Sequence, residues 1–108
     1  MRLVAEGANG PTTPKADEVL RENKVDLIPD ILCNSGGVIV SYFEWTQNRQ
    51  GDSWYLDEVR ARLKRRITGA YDRASAAANR WKTDSRNAAM ISALERLSLA
   101  YRERGIFP

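Results

Sequence analysis

Histidine is absent from this chain, and cysteine occurs once, at Cys33. The first absence excludes every scheme that needs an imidazole, such as Ser-His-Asp triads, histidine-bound zinc hydrolases and histidine general bases. The second excludes an internal disulfide and suits a reducing, cytoplasmic setting. No charged-then-apolar leader pattern opens the N-terminus. Long apolar runs are missing too. The most apolar stretch, Val25 to Phe43, is broken by Asp30, Asn34 and two glycines, so no membrane span is expected. There is no internal repeat, no low-complexity linker, no GxGxxG or Walker phosphate loop and no cluster of metal ligands. No lysine stands beside an apolar pocket as an evident base.

What is present fits one small domain, or one piece of a larger one, in 108 residues. The 43% apolar content is enough for a core, and 29% charged residues suit a soluble surface. The net charge of +3 is a mild basic excess, concentrated in Arg60-Ala-Arg-Leu-Lys-Arg-Arg66. Acidic residues flank that run, and it falls on the outer face of a helix, so a nucleic-acid partner is not expected.

The pattern along the chain reads as α/β. Arg2 to Glu6 forms a short strand running into the loop Gly7 to Thr13. Thr13 caps a helix whose first residue is Pro14, and the inner stripe is Ala16, Val19 and Leu20. That helix fades near Asn23. Val25 to Ile28 is a second strand, halted by Pro29-Asp30. Strand, helix and strand at this spacing predict parallel strands joined by a right-handed crossover. The carboxyl ends of such strands form the ligand crevice of open α/β sheets.

Three helices follow. One runs from about Ser35 to Asn48. The next spans Leu56 to Trp81, with a buried stripe of Leu56, Val59, Leu63, Ile67, Ala70, Ala74, Ala77 and Trp81. The last, capped by Asp84, buries Ala88, Ile91, Leu94, Leu97 and Tyr101 and stops at Gly105. The fold class expected is thus an incomplete Rossmann-like unit followed by a long helical region, divided into 1–48 and 49–108.

Asn9 and Asn34 occupy corresponding places in the loops after the two strands. Each can bond a ribose hydroxyl or a carboxamide, and Asn is also a routine turn residue. At the start of the helix from Ser35, Asn34 to Val38 offers backbone donors and the positive end of a helix dipole to an anion. Val38 and Ser41 share a helix face, a methyl wall beside a hydroxyl, as a short chain carrying a carboxylate requires. A helical serine bonding back to its own backbone is the commoner use of such a residue. Glu6, Asp30 and Glu44 read as scattered surface or capping carboxylates.

The segments AEGANGPTTPKADEVL, IPDILCNSGGVIVSYFEWTQN and YRERGIFP together resemble the C-terminal part of glutamate dehydrogenases, across essentially the whole chain. The related leucine, phenylalanine and valine dehydrogenases share the Asn-x-Gly-Gly-Val turn. They diverge after it, where this chain keeps Ser-Tyr-Phe-Glu-Trp. The resemblance implies NAD or NADP as cofactor, with Asn9 near the nicotinamide ribose and Asn34 near the nicotinamide and the reacting carbon. It implies that Val38 and Ser41 line the pocket for glutamate or 2-oxoglutarate, with Ser41 on the side-chain carboxylate. The family's catalytic lysine and aspartate and its Gly-rich turn lie upstream of this segment, so no catalytic residue and no metal ligand are assigned. Cys33 and Ser35 stand where the family usually has alanines. Tyr55 stands where a capping residue is common, which weakens the helix from Leu56 by ~1 kcal/mol. The reading that departs from the family's activity is a non-catalytic α/β-helical scaffold. An exposed sheet edge and uncovered helical stripes favour a homo-oligomer.

Overall fold

Capping residues and glycines set several helix ends of the computed structural model, which describes residues 2–105. Strand β1 (Leu3–Ala5) is followed by α1 (Pro14–Glu22), where the Thr13 hydroxyl accepts the Ala16 N–H at 3.3 Å and Pro14 takes the first turn. Strand β2 (Asp26–Ile28) lies parallel to β1, with Leu3 opposite Asp26 and Ala5 opposite Ile28. Next come α2 (Asp30–Cys33), α3 (Ser35–Gln50), α4 (Leu56–Trp81) and α5 (Ser85–Arg104). Gly51 closes α3 in the left-handed region at φ 65°, which a side chain would resist. Asp84 caps α5 by accepting the Asn87 N–H at 2.9 Å. As expected, Tyr55 gives α4 no side-chain cap.

The architecture is mostly helical around a two-stranded parallel sheet. Helices α4 and α5 form the main packed pair, and α3 lies against α4. Among the described residues the buried apolar ones are Pro29, Leu32, Phe43, Ala74, Ala77, Ala88 and Ala89. Four of these seven are alanines on α4 and α5, small side chains that suit close packing of helices. Phe43, 3% exposed, is the largest side chain among them, and Trp54 packs against it at 5.6 Å between ring centres.

Two expectations need correction. The stripes on α4 and α5 have the spacing read from the sequence, but they are only partly buried: Leu56, Trp81, Leu94, Leu97 and Tyr101 are all more than half exposed. The reason is geometric. At 26 residues α4 is about 39 Å long, and α3 and α5 do not cover its whole length. The radius of gyration, 16.4 Å, exceeds the roughly 13 Å of a compact chain of this size. Likewise the accessible surface of 8600 Å² exceeds the roughly 6100 Å² of a compact monomer. Second, the break after β2 is helical. Pro29 at φ −69° and Asp30, whose Oδ1 accepts the Ile31 N–H at 2.8 Å, start helix α2 just before Asn34. The closing residues 106–108, part of the YRERGIFP segment, lie outside the described residues.

Because Ala88 is fully buried, Ala88→Leu is expected to lower unfolding free energy by about 1–3 kcal/mol through overpacking. Urea denaturation followed by circular dichroism measures it. A change below 0.5 kcal/mol, roughly the size of a surface substitution, would mean that the surroundings of Ala88 are not closely packed.

Candidate functional site

The polar groups of the chain gather where the two strands end. Past the end of β1, the Glu6 N–H still donates to the Ile28 carbonyl at 3.1 Å, which carries the pairing into the loop. Glu6 is 2% exposed, so of the surface or capping role read from the sequence the surface part fails, while it does accept the first N–H of α2. It accepts the Asp30 N–H at 2.9 Å and two hydrogen bonds from Arg86, at 2.9 and 2.7 Å. Asp30 in turn accepts the Gly10 N–H on Oδ2 at 2.7 Å. Gly10 sits at φ 58°, a backbone conformation that only glycine adopts without strain.

Arg86 is the centre of this cluster. Its Nε and Nη2 donate to Asp17 at 2.6 and 3.0 Å, its Nη1 and Nη2 to Glu6, and its Nη1 lies 3.5 Å from Asp30. One guanidinium from α5 thus joins β1's exit, α1 and α2. The hydrogen bonds from Arg86 hold the Glu6 carboxyl down at a pKa of about 2, from its ordinary 4.5, against the opposing effect of burial. The same bonds, from Asp17 first and then Glu6, raise the Arg86 pKa further above its ordinary value. Sequence reasoning missed Arg86. The signal was its place in the first turn of a helix, where a cation opposes the dipole unless carboxylates hold it.

Asn9 and Asn34 are brought into direct contact. Asn34 Nδ2 donates to Asn9 Oδ1 at 2.6 Å and to the Gly7 carbonyl at 3.3 Å. Among the described residues, Asn9 Nδ2 and Asn34 Oδ1 have no partner, so one donor and one acceptor stay available at the end of the sheet. Asn34 does not cap α3 with its side chain, and the preceding turn of α2 abuts the expected helix mouth. The Ser35 hydroxyl donates back to the Leu32 carbonyl at 2.8 Å.

Val38 and Ser41 lie on the same side of α3 as Asn34, since steps of four and three residues return to one face at 100° per residue. That face is open: Val38 is 70% exposed, and Ser41 is exposed. Phe43, about 200° round the helix from Ser41, is the buried contact on the other side. Thr46 and Thr68 bond back to the carbonyls of Tyr42 and Lys64, at 2.9 and 2.8 Å, whereas Ser41 Oγ bonds to no described residue. Gly36 would meet Ile67 Cδ1 at an ordinary 3.5 Å if it carried a Cβ. A Cβ on Gly37 would meet nothing within 4 Å, so neither packing nor a positive φ requires glycine there. Among the described residues no group of carboxylate, cysteine or histidine side chains is placed to hold a metal ion, and no helix is long and apolar enough to cross a membrane.

A mixed α/β chain with amides paired across the ends of two parallel strands, next to an open helix face bearing a free hydroxyl, has the layout of one wall of a ligand crevice. The chain belongs to the Glutamate/Leucine/Phenylalanine/Valine dehydrogenase family, whose model matches residues 1–105. It is 47% identical over 107 residues to a glutamate dehydrogenase of Thermotoga maritima, covering 99% of this chain and 26% of the relative. Against an NAD-specific glutamate dehydrogenase of Staphylococcus aureus the identity is 45% over 103 residues, covering 95% and 25%. Its fold superimposes on the crystal structure of glutamate dehydrogenase from Peptoniphilus asaccharolyticus with a TM-score of 0.91 at 42% identity, over 98% of this chain and 27% of that one. The hetero-hexameric glutamate dehydrogenase of Thermus thermophilus gives a TM-score of 0.90 at 37% identity, over 98% and 26%. The chain therefore spans about a quarter of the length of the curated relatives it matches.

Glu6 has a lowered carboxyl pKa in the folded state, so its contribution to stability is complete above about pH 5 and is lost as pH falls from about 4.5 toward 2. The urea midpoint should fall across that window, and Glu6→Gln should flatten the fall. Arg86→Gln leaves three carboxylates facing one another and should lose about 3 kcal/mol or more at pH 7. A midpoint independent of pH between 5 and 2, with Arg86→Gln as stable as the parent, would refute the cluster's role.

Proposed function

We propose that this chain supplies the end of the cofactor crevice and one wall of the substrate pocket of an NAD- or NADP-dependent glutamate dehydrogenase. That enzyme interconverts glutamate with 2-oxoglutarate and ammonia. Residues 1–48 act as the closing part of a Rossmann-like dinucleotide-binding domain, and 49–108 as its helical extension. The reading rests chiefly on the Asn34–Asn9 hydrogen bond, which leaves one amide donor and one amide acceptor together at the ends of the parallel strands. Those groups fit a ribose hydroxyl and a carboxamide, which need an acceptor and a donor within one small region.

The residues divide the work by position. Asn9 Nδ2 donates to a ribose oxygen of the cofactor, and Asn34 Oδ1 accepts from the carboxamide, fixing the orientation of the nicotinamide. When bound, that ring supplies the hydride exchange with the substrate's α-carbon. Ser41, free of any bond within the described residues, donates to the side-chain carboxylate of glutamate, and Val38 packs on its methylenes. Gly37, on the same side of α3 and without a steric reason for being glycine, lets a ligand approach the backbone. The lysine and aspartate that move protons at the reacting carbon are contributed from outside these 108 residues. Assembly into a homo-oligomer and a cytoplasmic location complete the reading. A scaffold without catalytic duty is the second reading, supported by the apolar side chains that α5 leaves exposed, Leu94, Leu97 and Tyr101 among them.

The purified 108-residue chain should show no oxidation of reduced cofactor dependent on 2-oxoglutarate and ammonia; turnover would sink the assignment of the reactive groups elsewhere. In a complete dehydrogenase carrying this segment, Ser41→Ala should raise KM for glutamate and 2-oxoglutarate about tenfold to a hundredfold, the value of one bond to a charged group. Cofactor KM should stay within about twofold. Equal shifts in both would remove Ser41 from the carboxylate, and no shift in either would favour the scaffold.

A further inference from the structure

Beyond Ser41, the open face of α3 continues toward Gln50. At 100° per residue, Trp45 falls about 40° and Arg49 about 80° round the helix from Ser41, on the same side as Val38 at about 60°. Trp45 is four residues on, about 6 Å further along the axis. We propose that the Trp45 ring is the end wall of the pocket that Ser41 and Val38 line, and that it limits the substrate to the length of glutamate. This rests on the substrate role given to Ser41 above.

Three observations carry the proposal. First, the core does not use Trp45. It is 55% exposed and its indole N–H bonds to no described residue, whereas Phe43, on the other side of α3, is buried against Trp54. Second, the ring stands beside Ser41. Side chains on a helix lean toward its N-terminus and cover the preceding turn. Accordingly the Trp45 ring lies 5.8 Å from the Tyr42 ring, tilted by 31°, next to the residue that carries the free hydroxyl. Third, the ring is held in place. The Arg49 guanidinium, one turn further on, lies over it at 5.3 Å, and Tyr42 on its near side is itself 5.9 Å from the Arg66 guanidinium. A wall that swung freely would not discriminate between ligands.

The selection follows from the order of groups along the face. Asn34, Val38, Ser41 and Trp45 succeed one another outward from the amide pair. With the reacting carbon held at the amide pair and the far carboxylate at Ser41, one more methylene pushes that carboxylate past the hydroxyl and onto the indole. There it exchanges water and a hydrogen-bond donor for an apolar ring face, which is unfavourable for a charged group. A shorter chain does not reach the ring.

Initial rates of reductive amination with oxaloacetate, 2-oxoglutarate and 2-oxoadipate, which differ by one methylene each, test the proposal in a complete dehydrogenase carrying this segment. Trp45→Ala should raise kcat/KM for 2-oxoadipate relative to 2-oxoglutarate by about tenfold or more, the usual worth of room for one methylene. The ratio of oxaloacetate to 2-oxoglutarate should stay within about threefold. Trp45→Phe, which keeps a smaller ring, should move the first ratio the same way by about threefold, and decides the matter where Trp45→Ala does not fold. Loss of rate in equal proportion for all three acids, as a purely structural role gives, overturns the proposal. So does an unchanged 2-oxoadipate ratio while Ser41→Ala still raises KM for 2-oxoglutarate: the substrate reading then stands and only the end wall falls. If Ser41→Ala leaves that KM unchanged, the substrate reading fails and the end wall with it.

Discussion

The fork of Arg86 across three carboxylates is the constraint on which the rest of the chain depends. It spans 80 residues of sequence to Glu6, 69 to Asp17 and 56 to Asp30. Without it, α5 would meet the sheet mainly through the short strand β2, and the loop after β1 would lose the buried anchor beneath it. The hydrogen bonds continue outward from that anchor. Arg86 holds Glu6, Glu6 holds the Asp30 N–H, and Asp30 holds the Gly10 N–H beside Asn9. A charge placed against the dipole of α5 is thereby turned into the brace for an amide pair at the end of the sheet.

That brace matters because the apolar core is thin. Four of the seven buried apolar residues among those described are alanines, so the apolar area removed from water per helix is small. Burying a carboxylate is unfavourable unless it is paired and hydrogen-bonded, and Glu6 meets both conditions through Arg86 and the Asp30 amide. A two-stranded sheet of three residues per strand could not hold two loops in register by itself. The polar cluster supplies the definition that packing does not.

The difference between local and distant determinants explains what could be read from the sequence. Thr13-Pro14, Asp84 and Gly105 each act within one helical turn, and the helix ends they imply match the structure to within a residue or two. The parallel pairing was legible for a related reason, since strand, helix and strand follow one another directly; the offset of 23 residues comes from the structure. Asn9 and Asn34, 25 apart, fall nearly level once that offset is set. By contrast, the burial of Glu6, the extra turn α2 and the exposure of Leu94 and Leu97 depend on what stands opposite in space. Periodicity reports which residues share a face; it does not report whether anything covers that face.

The open face of α3 illustrates the same distinction with a functional consequence. Asn34, Val38 and Ser41 return to one side of the helix, while Phe43 on the other side is buried and packs against Trp54 in the loop before α4. A helix gripped on one face presents the other rigidly, as a ligand-binding wall requires. The hydroxyl of Ser41 stays unbonded where Thr46 and Thr68 turn back on their own helices, and Gly37 adds no side chain to the space in front of it. The Asn-Ser-Gly-Gly turn is therefore poorly explained as helix chemistry: Asn34 does not cap, Ser35 bonds backwards, and Gly37 is free of steric need. On the function proposed above it is a surface left clear for a ligand, with Phe43 buried behind it and the carboxylates around Arg86 beside the neighbouring loop.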